Sequence, residues 1–259
     1  TVSVVGDSIK VDYTGTSPQV RASLNVVPNY TFSYTYYPLK CVLSPHIPNN
    51  EGCFKAVEVT APEGSLLNPR FPAAVSTRGL VAHFLPMAVL GALAQVVPDR
   101  VIAPSGNPPW ATQFFGLDKN NKSFSTVFFF AGGQGASAHE DGISCSTFPS
   151  NISNTSIEII ESESPYIMID KKEFRQDSGG AGAHRGGLGQ ILSMTVAPES
   201  TLTVALFGDR TEHPAPGLLG GKPGAPGEAR LNGRVIKPKG QVPLNPGDHL
   251  TFATPGGGG

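Results

Sequence analysis

The chain has 259 residues, enough for one large domain or two small ones with a substantial core. It carries 19 Lys and Arg against 20 Asp and Glu, and the formal net charge of -1 gives no electrostatic basis for binding nucleic acid or an acidic membrane surface. Charged residues make up only 15% of the composition, beside 31 glycines and 24 prolines, which is typical of a turn-rich, strand-rich protein partly covered by partners.

The cysteine count and the hydropathy pattern indicate the cellular compartment of the protein. The three cysteines, Cys41, Cys53 and Cys145, show no C-x-x-C spacing, and an odd count favours a reduced, cytoplasmic protein. The first residues resemble neither a signal peptide nor a transit peptide. Polar residues and a proline interrupt the longest apolar stretch, near 80–97, so no membrane span is predicted.

The first part of the chain reads as short strands between proline-rich loops. Apolar and polar residues alternate over 1–13, which predicts a β-hairpin. A short strand is predicted from Phe54 to Val59, between loops at 45–52 and 61–72. The stretch 20–43 mixes aromatic and β-branched residues with two prolines, and no element is predicted there. Because the chain opens inside a strand, we expect a fragment of a longer polypeptide.

One long helix is predicted from Ala73 to Val97, where apolar residues recur at helical spacing between bordering prolines. Pro86 is expected to kink this helix or split it in two. Arg78 lies near the start of this apolar segment, where a charge usually has a partner, so it is a candidate binding residue. His83 is interpreted as a helix histidine with local hydrogen bonds.

The middle of the chain contains a second glycine-rich loop. Residues 103–123 are predicted to form a loop, and Phe124 to Ala131 a buried strand. The glycine-rich loop runs from Gly132 to Gly142. Strands are then predicted at 157–161 and at 166–173.

After Gly189 the sequence changes to short strands separated by glycine and proline turns, predicted at Gln190–Val196, Leu202–Phe207, Arg230–Ile236, Val242 and His249–Phe252. This spacing predicts an antiparallel sandwich- or barrel-like region. The predicted fold class is therefore α+β and β-rich, with one long Pro-interrupted helix. Two regions are predicted: 1–189, which contains the glycine loops and the helix 73–97, and 190–259, which ends in a glycine run that we expect to be a truncated third loop.

The chain is organised around residues 173–189, where six glycines fall between positions 179 and 189. Glycine at this density is entropically costly to order, so a fold tolerates it where backbone turns sharply or approaches another surface. Two interpretations stay open: a glycine-rich crossover in a β-rich domain, or a loop whose N–H groups and flanking arginines surround an anionic group. No Lys-Ser/Thr follows the glycines, and no βαβ unit surrounds them, which excludes the common nucleotide loops.

The residues alone define no complete catalytic device. For a metal site, only the run His139 to Asp141 clusters, and sequence neighbours on a strand point apart, so no metal site is predicted on this chain. Ser178 could join a Ser–His–Asp triad, but no G-x-S-x-G elbow presents it. Cys145 lacks a basic sequence neighbour that would lower its pKa.

The run Arg175-Gln-Asp-Ser-Gly-Gly-Ala-Gly-Ala-His-Arg-Gly-Gly-Leu-Gly189 resembles the R-P-D-S-G-G-A-G-x-x-R-G-G-L-G signature of the hydantoinase B/5-oxoprolinase family. Further blocks agree with the family in the same order: Val11–Pro18, Asn50–Gly52, Ala61–Pro69, Pro72–Val75 with Arg78, Gly132–Ala136 with Asp141–Gly142, Asn151, Pro216–Leu218 with Gly220–Gly221, and Pro255–Gly259. The resemblance spans the chain. Local departures are Gln176 in place of the usual proline and Ala183–His184 in place of an aromatic-containing pair.

The resemblance implies a two-part, ATP-dependent enzyme. In this family an A-type half binds ATP and phosphorylates the oxygen of a lactam or cyclic imide, and a B-type half opens the ring with a metal-activated water. The chain resembles the C-terminal half of a B-type subunit. The expected partners are therefore an A-type ATPase subunit, which carries the ATP, and the upstream B-type half, which carries a divalent metal. A hetero-oligomer acting on a small-molecule substrate is implied, with no cofactor on this chain.

The resemblance also implies residue roles. Arg175 and Arg185 would neutralise the phosphorylated or tetrahedral intermediate, and Asp177 would orient an arginine. His139 and Asp141 would carry protons or support the reacting groups. The implied substrate-binding residues are Ser178, Gly179, Gly180, Arg78 and Asn50.

Two alternatives remain open. Related subunits occur in acetone and acetophenone carboxylases, so the chain could belong to an ATP-dependent ketone carboxylase. It could also be a non-catalytic scaffold whose glycine loops dock neighbouring chains. A catalytic role predicts that Asp177, His139, Arg175 and Arg78 meet in one cleft, and a scaffold predicts that these four residues lie apart and face solvent. Without its partner halves, the chain is expected to have no activity.

Overall fold

The computed structural model describes residues 1–117, 122–150, 155–198 and 200–259. Asn151, one of the residues in the ordered sequence blocks, lies outside the described residues. The contacts divide the chain into two compact units, Thr1–Ile102 and Ala103–Gly259. The predicted boundary at 189/190 falls inside the second unit, where backbone segments from both sides of that boundary are hydrogen-bonded to one another.

The first unit combines a small sheet with helices. Its strands, in the order β1-β2-β3, are β1 (Val2–Val5), β2 (Ser8–Asp12) and β3 (Val57–Thr60). Its helices are α1 (Pro28–Leu43), α2 (Glu51–Lys55), α3 (Gly79–Ala82), α4 (Phe84–Leu93) and a 3-10 turn, Pro98–Arg100. The predicted hairpin at 1–13 is confirmed, since β1 and β2 pair antiparallel.

The helix α1 occupies a stretch for which the sequence predicted no element. Pro28 stands in its first turn, where the missing N–H costs nothing. Pairs of aromatic rings four residues apart then stack along it: the Tyr30 and Tyr34 centroids lie 4.7 Å apart, and those of Phe32 and Tyr36 lie 6.0 Å apart. The stretch therefore folds as a helix although Pro38 lies inside it.

Two predictions in the first unit need new bounds. The helix predicted over 73–97 covers only 79–93, and the split expected from Pro86 is confirmed: Pro86 falls in the first turn of α4, and the break between α3 and α4 comes at His83. The strand predicted from Phe54 begins only at Val57, because the Asn50 side chain accepts a hydrogen bond from the Cys53 N–H and caps the short helix α2.

The described residues of the second unit form two sheets and one helix. The five-stranded sheet has the order β10-β9-β12-β7-β6 and the four-stranded sheet the order β11-β8-β4-β5. The element bounds are β4 Trp110–Leu117, β5 Ser123–Phe130, α5 Ile157–Glu163, β6 Ile167–Phe174, β7 Gln190–Val196, β8 Leu202–Phe207, β9 Glu228–Leu231, β10 Arg234–Ile236, β11 Lys239–Leu244 and β12 His249–Ala253. The strand pairs within both sheets are antiparallel.

The two sheets share one hydrophobic core. Alternate residues of β4, β5, β7, β8 and β12 point into it and form a single buried cluster. Trp110 and Phe130 of one sheet contact Phe252 of the other, with centroids 6.1 Å and 6.2 Å apart. The α+β class and the antiparallel, sandwich-like C-terminal region are confirmed.

Three predictions in the second unit were wrong in detail. The loop predicted at 103–123 contains β4, whose alternate residues are buried in the shared core. The strand predicted at 157–161 is α5, because the Ser156 hydroxyl caps it and Glu158 stands in its first turn. The single strand predicted at 230–236 is the hairpin β9–β10, since Asn232 and Gly233 take positive φ values.

Candidate functional site

The glycine-rich segments of the second unit pack against one another, backbone on backbone. A Cβ atom added at these positions would overlap a neighbouring backbone atom, which defines the glycine assembly: Gly132, Gly133, Gly135, Gly142, Gly179, Gly180, Gly186, Gly187, Gly189, Gly217, Gly221, Gly224, Gly256, Gly257 and Gly258. Both predicted glycine loops and the C-terminal run belong to it. Glycine is required here because the backbones approach too closely for any side chain.

Hydrogen bonds within the glycine assembly occupy its peptide groups. The N–H of Gly180 donates to Gly257 O (2.8 Å), that of Gly257 to Gly187 O (3.0 Å), and that of Gly187 to Gln134 O (2.7 Å). The N–H of Gly133 donates to Pro255 O (3.0 Å). The peptide donor expected at Gly180 for a reaction intermediate is therefore bonded inside the protein.

Ser178 and Arg175 also bind backbone. The Ser178 hydroxyl donates to Arg175 O (2.7 Å) and accepts from the Gly189 N–H (2.9 Å), and the residue is 1% exposed. The Arg175 guanidinium donates to the carbonyl oxygens of Pro226 (2.6 Å) and Thr254 (3.1 Å). Burial lowers the pKa of Arg175. Both side chains join the glycine run to neighbouring segments.

A charged cluster lies on the surface beside the glycine assembly. The Arg185 guanidinium donates to Asp177 Oδ1 at 2.9 Å, and the Arg185 N–H donates to Asp141 Oδ1 at 2.7 Å. The His184 Nδ1 lies 3.6 Å from the same Asp141 oxygen. Three of the predicted catalytic residues, Asp177, Arg185 and Asp141, thus meet, and His184 joins them. We call these four residues the surface cluster.

The surface cluster is open to solvent but anchored to rigid backbone. The side chains of Arg185 and Asp177 are 47% and 93% exposed. Asp177 has a φ of 54°, in the left-handed region, which turns its carboxylate outward just before the buried Ser178. His139 is exposed, and its N–H donates to the Ser137 hydroxyl. The arrangement presents one guanidinium paired with the Asp177 carboxylate, while the Asp141 carboxylate holds the backbone of the same arginine.

The described part of the chain contains neither a metal-ligand cluster nor a membrane-length helix. Within 1–117, 122–150, 155–198 and 200–259, no three His, Cys, Asp or Glu side chains converge as metal ligands. Over the same residues, no helix is long and apolar enough to span a bilayer.

The two remaining predicted substrate-binding residues belong to the first unit. Asn50 caps α2 through its side-chain oxygen, and its amide donates to Pro48 O (2.9 Å). Arg78 precedes α3, donates to Val75 O (3.1 Å) and lies over the Tyr30 ring, 5.0 Å from its centroid. Tyr30 stacks on Tyr34, a contact that their i, i+4 spacing on one helix favours.

The chain is related in sequence to known proteins. The sequence profile of the Hydantoinase B/oxoprolinase family matches residues 1–259. An uncharacterized protein of Methanocaldococcus jannaschii is 35% identical over 278 residues, an alignment that covers 100% of this chain and 46% of that protein. The chain spans less than half the length of the curated relatives it matches.

Two solved structures share the fold. The ATP-dependent caprolactamase from Pseudomonas jessenii superposes with a TM-score of 0.85 at 26% identity, over 99% of this chain and 47% of that one. A nucleotide-free acetone carboxylase superposes with a TM-score of 0.87 at 19% identity, over 100% of this chain and 40% of that one. At that identity the second likeness concerns the fold alone.

Proposed function

Because the chain belongs to the hydantoinase B/oxoprolinase family, we propose that it is the C-terminal part of the B-type subunit of an ATP-dependent cyclic-amide hydrolase. That subunit opens a phosphorylated ring amide with water. The family match along all 259 residues is the observation that carries this proposal. The likeness to a caprolactamase over 99% of the chain supports a cyclic amide as substrate.

The proposed enzyme needs polypeptide beyond this chain. An A-type ATPase subunit supplies the ATP-dependent phosphorylation, and the upstream half of the B-type subunit supplies a divalent metal, so the assembly is a hetero-oligomer. We place it in the cytoplasm, in keeping with the odd number of cysteines. The chain's own contribution is to bind and orient charged groups at the surface cluster.

Within the surface cluster we assign Arg185 to the anionic intermediate. Its guanidinium is positioned by Asp177, and its backbone is held by Asp141, so the cation is preorganised at the edge of a rigid support. His139, exposed in the second glycine loop, stays a predicted proton carrier. For Arg175, Ser178, Gly179 and Gly180 we propose a structural role instead, because that segment is packed within the glycine assembly.

Reconstitution tests the proposal. With the A-type subunit and the upstream B-type half supplied, 5-oxoproline, hydantoin or caprolactam should be opened in step with ATP hydrolysis, and the chain alone should give no turnover. Arg185→Ala should lower the rate by roughly 10²–10³ if the guanidinium contacts the developing charge. Arg234→Ala, which removes an exposed arginine of β10, is the matched control.

Two outcomes would contradict these assignments. Equal rates for Arg185→Ala and Arg234→Ala would remove Arg185 from the catalytic machinery. Incorporation of labelled bicarbonate into a ketone, without any ring opening, would replace the hydrolase by a ketone carboxylase.

A further inference from the structure

The two sheets of the second unit differ in the side chains on their outer faces. The outer face of the five-stranded sheet is charged, and carries Asp170, Lys171, Glu173, Glu228, Arg230 and His249. Polar contacts join its strands: His249 Nε2 lies 3.3 Å from Asp170 Oδ2, and the Thr195 hydroxyl donates to the same oxygen at 2.7 Å. Such a face is suited to contact with water.

The outer face of the four-stranded sheet is apolar. It consists of the residues of β4, β5, β8 and β11 that alternate with the core residues, and we call it the apolar face; its apolar members include Ala111, Phe115, Leu117, Val127, Phe129 and Phe207. Among its positions, all of them described, the one charged side chain is Lys239, whose Nζ lies 2.5 Å from Asp209 Oδ1.

The members of the apolar face are contiguous and open. Phe129, Ala111 and Phe207 lie in one row across three strands, and Val127 belongs to the next row. Leu117, Val127 and Phe129 are 56%, 46% and 36% exposed. Because soluble proteins rarely expose a broad apolar patch without a function, this face is suited to contact with another surface.

The strand β5 also leaves one edge of this sheet open. Among the described residues, no strand pairs with β5 on the side away from β4. Soluble proteins protect such edges with charges, prolines, bulges or short strands. The other edges of the second unit have these features: Lys239 and Pro243 in β11, four charged residues and a bulge in β6, and a length of three residues in β10. The eight residues of β5 include no charge and no proline.

The composition of the apolar face indicates a permanent neighbour. Transient interfaces are about as polar as the rest of a protein surface, whereas permanent interfaces resemble the core of a domain. The relatives contain enough polypeptide to supply this neighbour, since the match covers 47% of the caprolactamase chain and 46% of the Methanocaldococcus jannaschii protein. A neighbour within the same subunit is always present, so its interface needs no charges to steer an encounter.

We propose that the upstream half of the B-type subunit covers the apolar face and adds a strand to the open edge of β5. The covering segment presents uncharged, apolar side chains to Phe115, Val127 and Phe207, and its backbone bonds the open peptide groups of β5. The proposal rests on the proposed function for the existence of that half. The contact surface itself depends on neither substrate nor turnover.

Cysteine labelling tests the proposal at matched positions. Val127 and Met168 each lie on an outer face, in an edge strand of eight residues, and are 46% and 45% exposed. In the chain alone, Val127→Cys and Met168→Cys should react with N-ethylmaleimide at similar rates. In the whole B-type subunit, Val127→Cys should react at least about tenfold more slowly, because its thiol is reached only when the interface opens, and Met168→Cys should keep its rate. Peptide mass spectrometry separates these thiols from the native cysteines.

Hydrogen exchange gives a second measurement that needs no substitution. In the whole B-type subunit, the amide hydrogens of β5 that point away from β4 should exchange at least about tenfold more slowly than in the chain alone, and those of β6 should keep their rates.

Several results would overturn the proposal. Unchanged labelling of Val127→Cys in the whole subunit would leave the face uncovered, and equal protection of both thiols would remove the preference for the apolar face. Protection that rises with the concentration of the chain alone would identify a second copy as the neighbour. Protection that appears only after addition of the A-type subunit would assign the face to that subunit. A subunit that labels as expected but opens no cyclic amide would contradict the proposed function alone.

Discussion

At the residue scale, Ser178 shows how a binding motif and a packing motif can look alike. Its position between Asp177 and a run of glycines suggested a hydroxyl offered to substrate. In the structure the hydroxyl joins Arg175 O to the Gly189 N–H in the interior, while the neighbouring Asp177 carboxylate is exposed. Asp177 has a left-handed backbone conformation, and at this residue the chain passes from an exposed side chain to the buried Ser178.

Ser178→Ala should therefore destabilise the fold. It leaves a buried carbonyl and a buried N–H without a partner, at a cost of about 2–3 kcal/mol in the free energy of unfolding. Urea denaturation followed by Trp110 fluorescence measures this, because that ring is in the core of the same unit. Ser123→Ala, at an exposed position of β5, should change stability by less than about 0.5 kcal/mol. If Ser178→Ala leaves stability unchanged and raises KM in the assembled enzyme, Ser178 binds substrate and its role is not structural.

His83 gives a pH dependence at the same scale. Burial lowers its pKa below the usual 6.5, so the folded state resists protonation more than the unfolded chain does. Its contribution is present above pH 6.5 and is lost as the pH falls through the folded-state pKa. The groups facing the ring include Tyr34 and the Gly79 carbonyl.

We accordingly expect stability to fall between pH 8 and pH 5.5, with a shallower slope in His83→Gln. Urea unfolding followed by far-UV circular dichroism at several pH values gives both slopes. His46→Gln, which changes an exposed histidine of the same unit, should keep the wild-type slope. Identical slopes in all three proteins would show that His83 does not titrate differently in the folded state.

At the scale of elements, the glycine assembly replaces side-chain packing with backbone packing. Segments far apart in sequence, such as Gly133, Gly187 and Gly257, are neighbours through hydrogen bonds and close approach. Of the two interpretations of the glycine loop, packing of backbone on backbone accounts for most of these residues. The anion-binding interpretation stays a proposal, placed at Arg185 beside the assembly.

Gly133→Ala is the sharpest test of this packing. The added methyl would overlap the carbonyl of Gly187, and no flexible side chain is there to move aside. We expect a loss of at least about 3 kcal/mol, or failure to fold, because both backbones must shift. Gly91→Ala, at an exposed α4 position with open space around it, should instead stabilise by roughly 0.5–1 kcal/mol. Similar stabilities for the two variants would contradict the packing described.

The elements show which sequence signals were sufficient. The strands β7, β8 and β12 were predictable because regular glycine and proline turns bound short apolar runs. The helix α1 was not, because its two prolines masked an aromatic repeat at helical spacing. The segment 103–123 was predicted wrongly because the alternation of buried residues in β4 was overlooked. The segment 157–161 was predicted wrongly because the Ser156 cap of α5 was overlooked.

At the scale of the whole molecule, family and fold class could be predicted from ordered motifs, but the surface cluster could not. The motifs named Asp177, Arg185 and Asp141 without showing that Asp141 holds the Arg185 backbone. That contact joins two loops more than forty residues apart, a pairing that no local pattern encodes. Arg175 illustrates the converse, since a motif arginine binds backbone carbonyls of its own unit.

The glycine assembly also sets which positions of the second unit tolerate substitution. In a saturation library, folded variants should keep glycine at Gly133, Gly187 and Gly257, because a side chain at any of these positions would overlap neighbouring backbone atoms. Ala183 and His184, on the exposed loop beside Arg185, are free of that restriction. Mutagenesis of this segment is therefore best confined to the loop. The glycines packed backbone on backbone should be left unchanged.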